Sequence, residues 1–110
     1  MNVTEKSAYT LITSNEENFF DFVKNFREAY VNYKDKNLII EISENFKVSN
    51  ENILLFLEYA HKHQNNGISF VVVSRDVTID DFPEDFNIVP TLVEAEDVVE
   101  MEDIQRDLGF

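Results

Sequence analysis

Apolar residues in this chain change their spacing several times, and each change marks an element. Between Ser7 and Thr13, Tyr9, Leu11 and Ile12 alternate weakly with polar positions, which predicts a first strand. Phe19, Phe22, Val23, Phe26 and Tyr30 then recur at three- and four-residue intervals and form one stripe on a helix. Ser14 and Glu17 have the spacing of a capping box and predict the start of that helix. After a polar turn from Tyr33 to Asn37, the run Leu38, Ile39, Ile40, Ile42 predicts a second strand. Helical spacing returns with Ile53, Phe56, Leu57 and Ala60, from about Asn50 to a left-handed cap at Gly67.

Ile68 to Val73 predicts a third strand. Its apolar run, like that of Leu38 to Ile42, implies burial on both faces, as in the centre of a parallel sheet. The intervening helix suits a crossover that makes the two strands adjacent and parallel. Arg75 to Asn87 is interrupted by Pro83, and Val77, Ile79, Phe82 and Phe86 fit no single period, so a short helical turn or irregular loop is expected. Ile88 to Thr91 predicts a last short strand with Pro90 at its end. Thr91 and Glu94 make a second capping box, opening a helix whose apolar face is Ala95, Val98, Val99, Met101, Ile104 and Leu108.

The chain has 110 residues, a length that suits one domain, and its ten Phe and four Tyr supply a core. It has no Cys, which removes disulfides, thiolate metal sites and Cys nucleophiles. The opening residues Met1 to Lys6 lack a basic region followed by an apolar one, and no apolar run approaches the ~18 residues that span a bilayer, so a cytoplasmic protein is expected. Charge is placed unevenly within the net −13: Arg106 is the only base after Arg75, whereas the acids crowd that end. Such a surface repels nucleic-acid phosphates and anionic membranes. Residues 94–110 form an acidic helix, either as a solvated face or as a surface for a basic protein. Glu102, Asp103 and Asp107 oppose its dipole, so fraying is expected beyond Met101.

Two stretches carry a resemblance. Leu38-Ile39-Ile40-Glu41-Ile42-Ser43 is similar to a strand of the type I-V-L-D-L-S, and Ile88-Val89-Pro90-Thr91-Leu92-Val93-Glu94-Ala95 to a strand and helix start of the type I-x-P-T-x-E-E-A. Together with the order of elements, they resemble the STAS domain, the family of bacterial anti-sigma factor antagonists and sulfate-transporter cytoplasmic domains, over roughly residues 7–100. The resemblance implies an α/β single domain, a mixed four- or five-stranded sheet with parallel central strands packed against about four helices. It also implies a regulatory protein-binding role, with a kinase-like or other regulatory factor as partner. Phosphorylatable members carry D-S-S-G or D-S-T-G before the second helix. Those positions fall here at Ser49, Asn50, Glu51 and Asn52, so Glu51 stands where the acceptor hydroxyl would be. The interaction surface implied is Phe46, Ser49, Asn50, Glu51, Asn52 and Ile53, with Ser49 as the alternative phosphosite. Glu51 either imitates part of a phosphate's charge or simply favours a helix start. The family's third helix is shortened around Pro83.

Other chemistry is sparse. His61 and His63 point about 200° apart on a helix and form no metal clamp; His61 is expected near the core edge beside Leu57 and His63 toward solvent. Asp76, Asp80, Asp81, Glu84 and Asp85 lack the glycine-containing spacing of a calcium loop. Gly67 and Gly109 are the only glycines, so no Gly-rich loop can cradle a nucleotide. A hydrolase would need a G-x-S-x-G elbow, a His-rich metal motif or a Ser-His-Asp set, and no spacing places one. The residues therefore predict no enzyme, no cofactor and no metal. They favour a STAS-like interaction domain, or alternatively an acidic module that docks a basic protein through its C-terminal helix.

Overall fold

Five strands, β1 (Asn2–Glu5), β2 (Thr10–Thr13), β3 (Leu38–Glu41), β4 (Phe70–Val73) and β5 (Ile88–Val89), lie side by side in the order in which the chain makes them. The computed structural model describes residues 1–75 and 79–109. β1 is antiparallel to β2, and β2 through β5 are parallel. The predicted neighbours do pair: Leu38 stands opposite Phe70 and Ile40 opposite Val72. β1 was not predicted, because all its residues are exposed and it carries no apolar period. It is held by its ladder to β2 across a turn in which the Lys6 N–H donates to the Tyr9 carbonyl at 2.9 Å. That turn takes Ser7 to Tyr9, which shortens the predicted first strand to Thr10–Thr13.

Three helical bodies cover the sheet among the described residues. These are α1 (Phe19–Ala29), extended by a 3₁₀ turn at Tyr30–Asn32; the continuous run of α2 (Asn50–Ile53), a 3₁₀ turn at Leu54–Phe56 and α3 (Leu57–Asn65); and α4 (Leu92–Asp107). Among the described residues between β4 and β5, a 3₁₀ turn, Ile79–Asp81, is formed, with Phe82 and Phe86 tucked into the core; the expectation for residues 76–78 lies outside the described residues. α1 starts one turn later than its sequence suggested. Asn18 caps it, accepting from the Asp21 N–H at 2.9 Å. Ser14 cannot cap, because it is buried at the end of β2, where its Oγ accepts the Ser43 N–H at 2.8 Å. Gly67 follows α3 at φ +73, the left-handed position expected of it.

On one face of the sheet, α1 and the α2–α3 body bury Phe22, Phe26, Ile53 and Phe56 over Ile12, Ile40, Phe70 and Val72. The Phe56 ring lies edge-on to Phe26 with centroids 5.2 Å apart and also meets Phe19 and Phe22. Ala95 and Val99 of α4 cover the opposite face, above Tyr9, Ile39, Val71 and Val73. The predicted apolar face of α4 is thus only partly correct: Met101, Ile104 and Leu108 point outward.

The expectation for the two histidines is reversed. His63 is fully buried and His61 exposed, because the inward side of α3 continues Phe56, Tyr59 and His63 rather than Leu57 and His61. The acidic end of α4 is also tied down. Glu102 accepts from Ser69 Oγ and from Asn87 Nδ2 at 3.1 Å, and Asp103 accepts from Asn37 Nδ2 at 3.1 Å. Arg106 bonds Asp103 and donates to Ser69 Oγ at 3.0 Å. Glu102 and Asp103 are thus held by donors near the amino ends of the strands, and the helix continues to Asp107.

Truncating Phe56 removes a ring that three other phenylalanines touch. Phe56→Ala should lower the unfolding free energy by about 3–5 kcal/mol in urea titration. A loss under about 1 kcal/mol would place Phe56 outside the energetic core.

Candidate functional site

The carboxyl ends of β2 to β5 and the loops that leave them enclose an open cleft of about 400 Å³, lined by Ser14, Glu41, Ser43, Ser74, Arg75 and Thr91 among others. Parallel strands collect unpaired backbone groups at this end, and sites in α/β sheets form where the strand order reverses and the loops diverge. Here strand order never reverses. The cleft is open, and several of its backbone groups and three of its hydroxyls are already engaged. Ser14 N–H donates to the Glu41 carbonyl at 3.2 Å, Ile42 N–H to Val73 at 3.0 Å and Ser74 N–H to Val89 at 3.0 Å. Three hydroxyls serve backbone amides: Ser14 Oγ that of Ser43 at 2.8 Å, Ser43 Oγ that of Asn45 at 3.2 Å, and Thr91 Oγ1 that of Glu94 at 3.2 Å. Arg75 Nε lies 2.9 Å from Glu44 Oε1, but both side chains are well exposed and the pair contributes at most about 1 kcal/mol.

The segment singled out in the sequence has an inner and an outer part. Phe46 is buried with its ring edge-on to Phe19, centroids 6.3 Å apart, and Ile53 is fully buried. These two side chains anchor the segment and offer nothing to a partner. Between them, Ser49 caps α2 in a reciprocal box with Asn52. Ser49 Oγ accepts the Asn52 N–H at 3.2 Å, and Asn52 Oδ1 accepts the Ser49 N–H at 3.1 Å and its hydroxyl at 3.0 Å. Asn50 Nδ2 donates to Asp81 Oδ2 at 2.7 Å, fastening the first turn to the loop before β5. Glu51 projects from that turn, exposed.

The histidines lie elsewhere. Tyr30 donates its hydroxyl to His63 Nδ1 at 2.7 Å, while His63 Nε2 faces the Lys36 carbonyl at 3.0 Å. A carbonyl only accepts, so Nε2 carries a proton, and burial, which disfavours the charged form, keeps the ring neutral with Nδ1 free to accept from Tyr30. Burial pushes the His63 pKa down, against the opposing pull of the Lys36 and Tyr59 backbone and the Asp35 charge. Burial, with smaller effects from Tyr59 and Asp35, pushes the Tyr30 phenol up to about 12. His61 Nε2 lies 3.2 Å from Asp85 at the surface. Neither ring lines the cleft, so the cleft hydroxyls have no imidazole base beside them.

Among the described residues no group of three or more His, Asp or Glu side chains is placed to hold a metal ion, and no helix is long and apolar enough to cross a membrane. Asp76 of the acidic run lies outside the described residues. Ser14, Ser43, Glu44 and Arg75 were missed as cleft residues; their position just after the strands was the available signal. Tyr9 and Glu96 had none. Tyr9 donates its hydroxyl to Glu96 Oε2 at 2.8 Å, and burial together with Glu96 pushes that phenol up to about 12, so it remains a donor.

Compared with known proteins, the chain matches no family model and no curated protein.

A histidine buried neutral takes up its proton more readily in the unfolded chain. Its contribution to stability is complete above the unfolded pKa of about 6.5 and is lost as pH falls below it toward the lower folded value. As pH falls below about 6.5 the protein should therefore lose stability with a slope of at most about 1.4 kcal/mol per pH unit from this group. In His63→Phe that part of the slope should vanish, whatever the variant's absolute stability. Equal slopes for the two proteins in urea titrations would show that His63 is not neutral in the fold.

Proposed function

We propose that the chain is a STAS-like protein-binding domain without chemistry of its own, and that it meets a regulatory protein, kinase-like or otherwise, through the exposed Ser49 and Glu51 and the half-buried Asn50 and Asn52. The observation that carries this reading is the construction of the α2 start. A reciprocal capping box and the Asn50–Asp81 bond fix the turn, so Glu51 is presented from a braced base. Rigid presentation lowers the ordering cost of binding. The strand order, with one antiparallel strand at the edge of a parallel set, supports the same reading. So do the cleft hydroxyls of Ser14, Ser43 and Thr91, which are occupied in holding backbone amides.

Ser49 is a poor substitute for the missing acceptor. Its hydroxyl both accepts from and donates to Asn52. A phosphate there would abolish the donated bond and place about two further negative charges beside Glu51. Protein from native cells should accordingly carry no phosphate on Ser49 when mapped by mass spectrometry. A partner captured by crosslinking in those cells and titrated calorimetrically should bind Glu51→Ser or Asn50→Ala more weakly by about 1–3 kcal/mol, the scale of a hydrogen bond to a charged group. Unchanged affinity in both variants would leave Glu51 as a helix-start residue and remove the reading.

A further inference from the structure

α4 is apolar on two opposite sides. Leu92, Ala95, Val98 and Val99 turn toward the sheet. Val93, Met101, Ile104 and Leu108 face solvent, with 67, 53, 51 and 67% of their surface exposed. At about 100° per residue the exposed four fall within an arc of about 80°, roughly opposite the inward set. Met101, Ile104 and Leu108 neighbour one another along this line, with Asp97 standing between them and Val93, so the face is apolar at its carboxyl-terminal part and acidic toward its start, unlike apolar residues scattered singly. Next to this line, Ile104 walls a groove of about 590 Å³ between α4 and the β1–β2 turn, where Tyr9 and Leu11 are among the lining residues and Glu100 and Asp107 supply carboxylates. α4 packs on β3, β4 and β5, so Leu11 on β2 remains partly open to the groove.

Charge decides what can cover this surface. A second copy would set one α4 against another, and α4 carries acids at Glu94, Asp97, Glu100 and Asp107 with Arg106 as its single base. Like charges brought together in this way are destabilising, and Arg106 is already bonded to Asp103 and Ser69. Nor are all the acids needed by the fold. Glu96, Glu102 and Asp103 are bonded to Tyr9, Ser69, Asn87 and Asn37, whereas Glu94 and Asp97 lie exposed along the apolar line and Glu100 and Asp107 beside the groove.

We propose that the outer face of α4 and the adjoining groove dock an amphipathic helix of a partner protein, one with aliphatic residues along one side and Lys or Arg at its margins. The aliphatic side covers Val93, Met101, Ile104 and Leu108 and reaches Tyr9 and Leu11, while the cations meet Asp97, Glu100 and Asp107. This is recognition of a helix by a groove, in which apolar anchors give affinity and charge selects the partner. It does not depend on the Ser49–Asn52 turn.

The test uses the whole chain, isotopically labelled, and two synthetic peptides of about 14 residues with identical Leu and Lys content, one with leucines at helical spacing and one scrambled. At about 0.15 M salt the helical peptide should bind at least about tenfold tighter, and it should shift amide signals from residues 6–9 and 93–108. Met101→Asn/Ile104→Asn, which alters only exposed side chains, should keep the melting temperature and weaken the helical peptide at least about tenfold; Glu100→Lys/Asp107→Lys should do the same. Equal binding of the two peptides, or shifts centred on residues 49–52, would overturn the proposal. So would sedimentation of the free chain as a dimer that Met101→Asn/Ile104→Asn dissociates, since the occupant would then be a second copy. The Glu51 variant should bind the helical peptide as the parent does, which separates failure here from failure of the Ser49–Asn52 reading.

Discussion

β4 has no solvent side. Phe70 and Val72 pack under α1 and the α2–α3 body while Val71 and Val73 pack under α4, and β3 divides Leu38 and Ile40 from Ile39 in the same way. Parallel strands of this kind require helices on both faces, and every other placement follows from that requirement. The α1 and α2–α3 bodies share one face. The second face depends on α4 alone, although α4 offers the sheet little beyond Ala95, Val99, Leu92 and Val98. The remaining attachment is polar: Tyr9 to Glu96, Asn37 to Asp103, and Ser69 and Asn87 to Glu102. Acidity in this helix is therefore in part a fastening, because carboxylates are the acceptors that hydroxyl and amide donors at the sheet rim can use.

The sequence made the centre of the molecule legible and its margins much less so. β3, β4, α1 and Gly67 could be read because burial on both faces, a helical stripe and a left-handed cap each leave a local pattern. β1 leaves none, since a wholly exposed edge strand is held by backbone pairing. Ser14 and Asn18 are both sound caps on local grounds, and only the distant Ser43 N–H decides between them. His63 was misplaced because α3 has two inward phases to choose from, and Tyr30 and Lys36, which settle the phase, lie in other elements. The apolar list for α4 merged two faces into one, and no periodicity argument separates them without knowing which side meets the sheet.

The candidate segment was legible in the same uneven way. Ser49 and Asn52 are three apart and form their box locally, so the helix start fell where expected. Phe46 and Ile53 were grouped with them by position, yet their side chains turn inward, as the apolar residues flanking a cap commonly do. Asn50 and Asp81 find each other only in the fold. Long-range polar partners of this sort give the turn its rigidity, and they are also the feature that a single sequence hides most completely.

Because strand order matches chain order, each new strand adds to the edge left by the one before it, and none must be threaded between two already paired. Each addition closes a loop whose entropic cost grows only slowly with its length. α4 is the exception, for it comes last in this order and crosses to the other side. Until it arrives, Ile39, Val71 and Val73 form a bare apolar surface on a sheet that is otherwise complete. A chain cut before Thr91 would retain that surface permanently, an adhesive half-structure whose natural fate is association with its own kind.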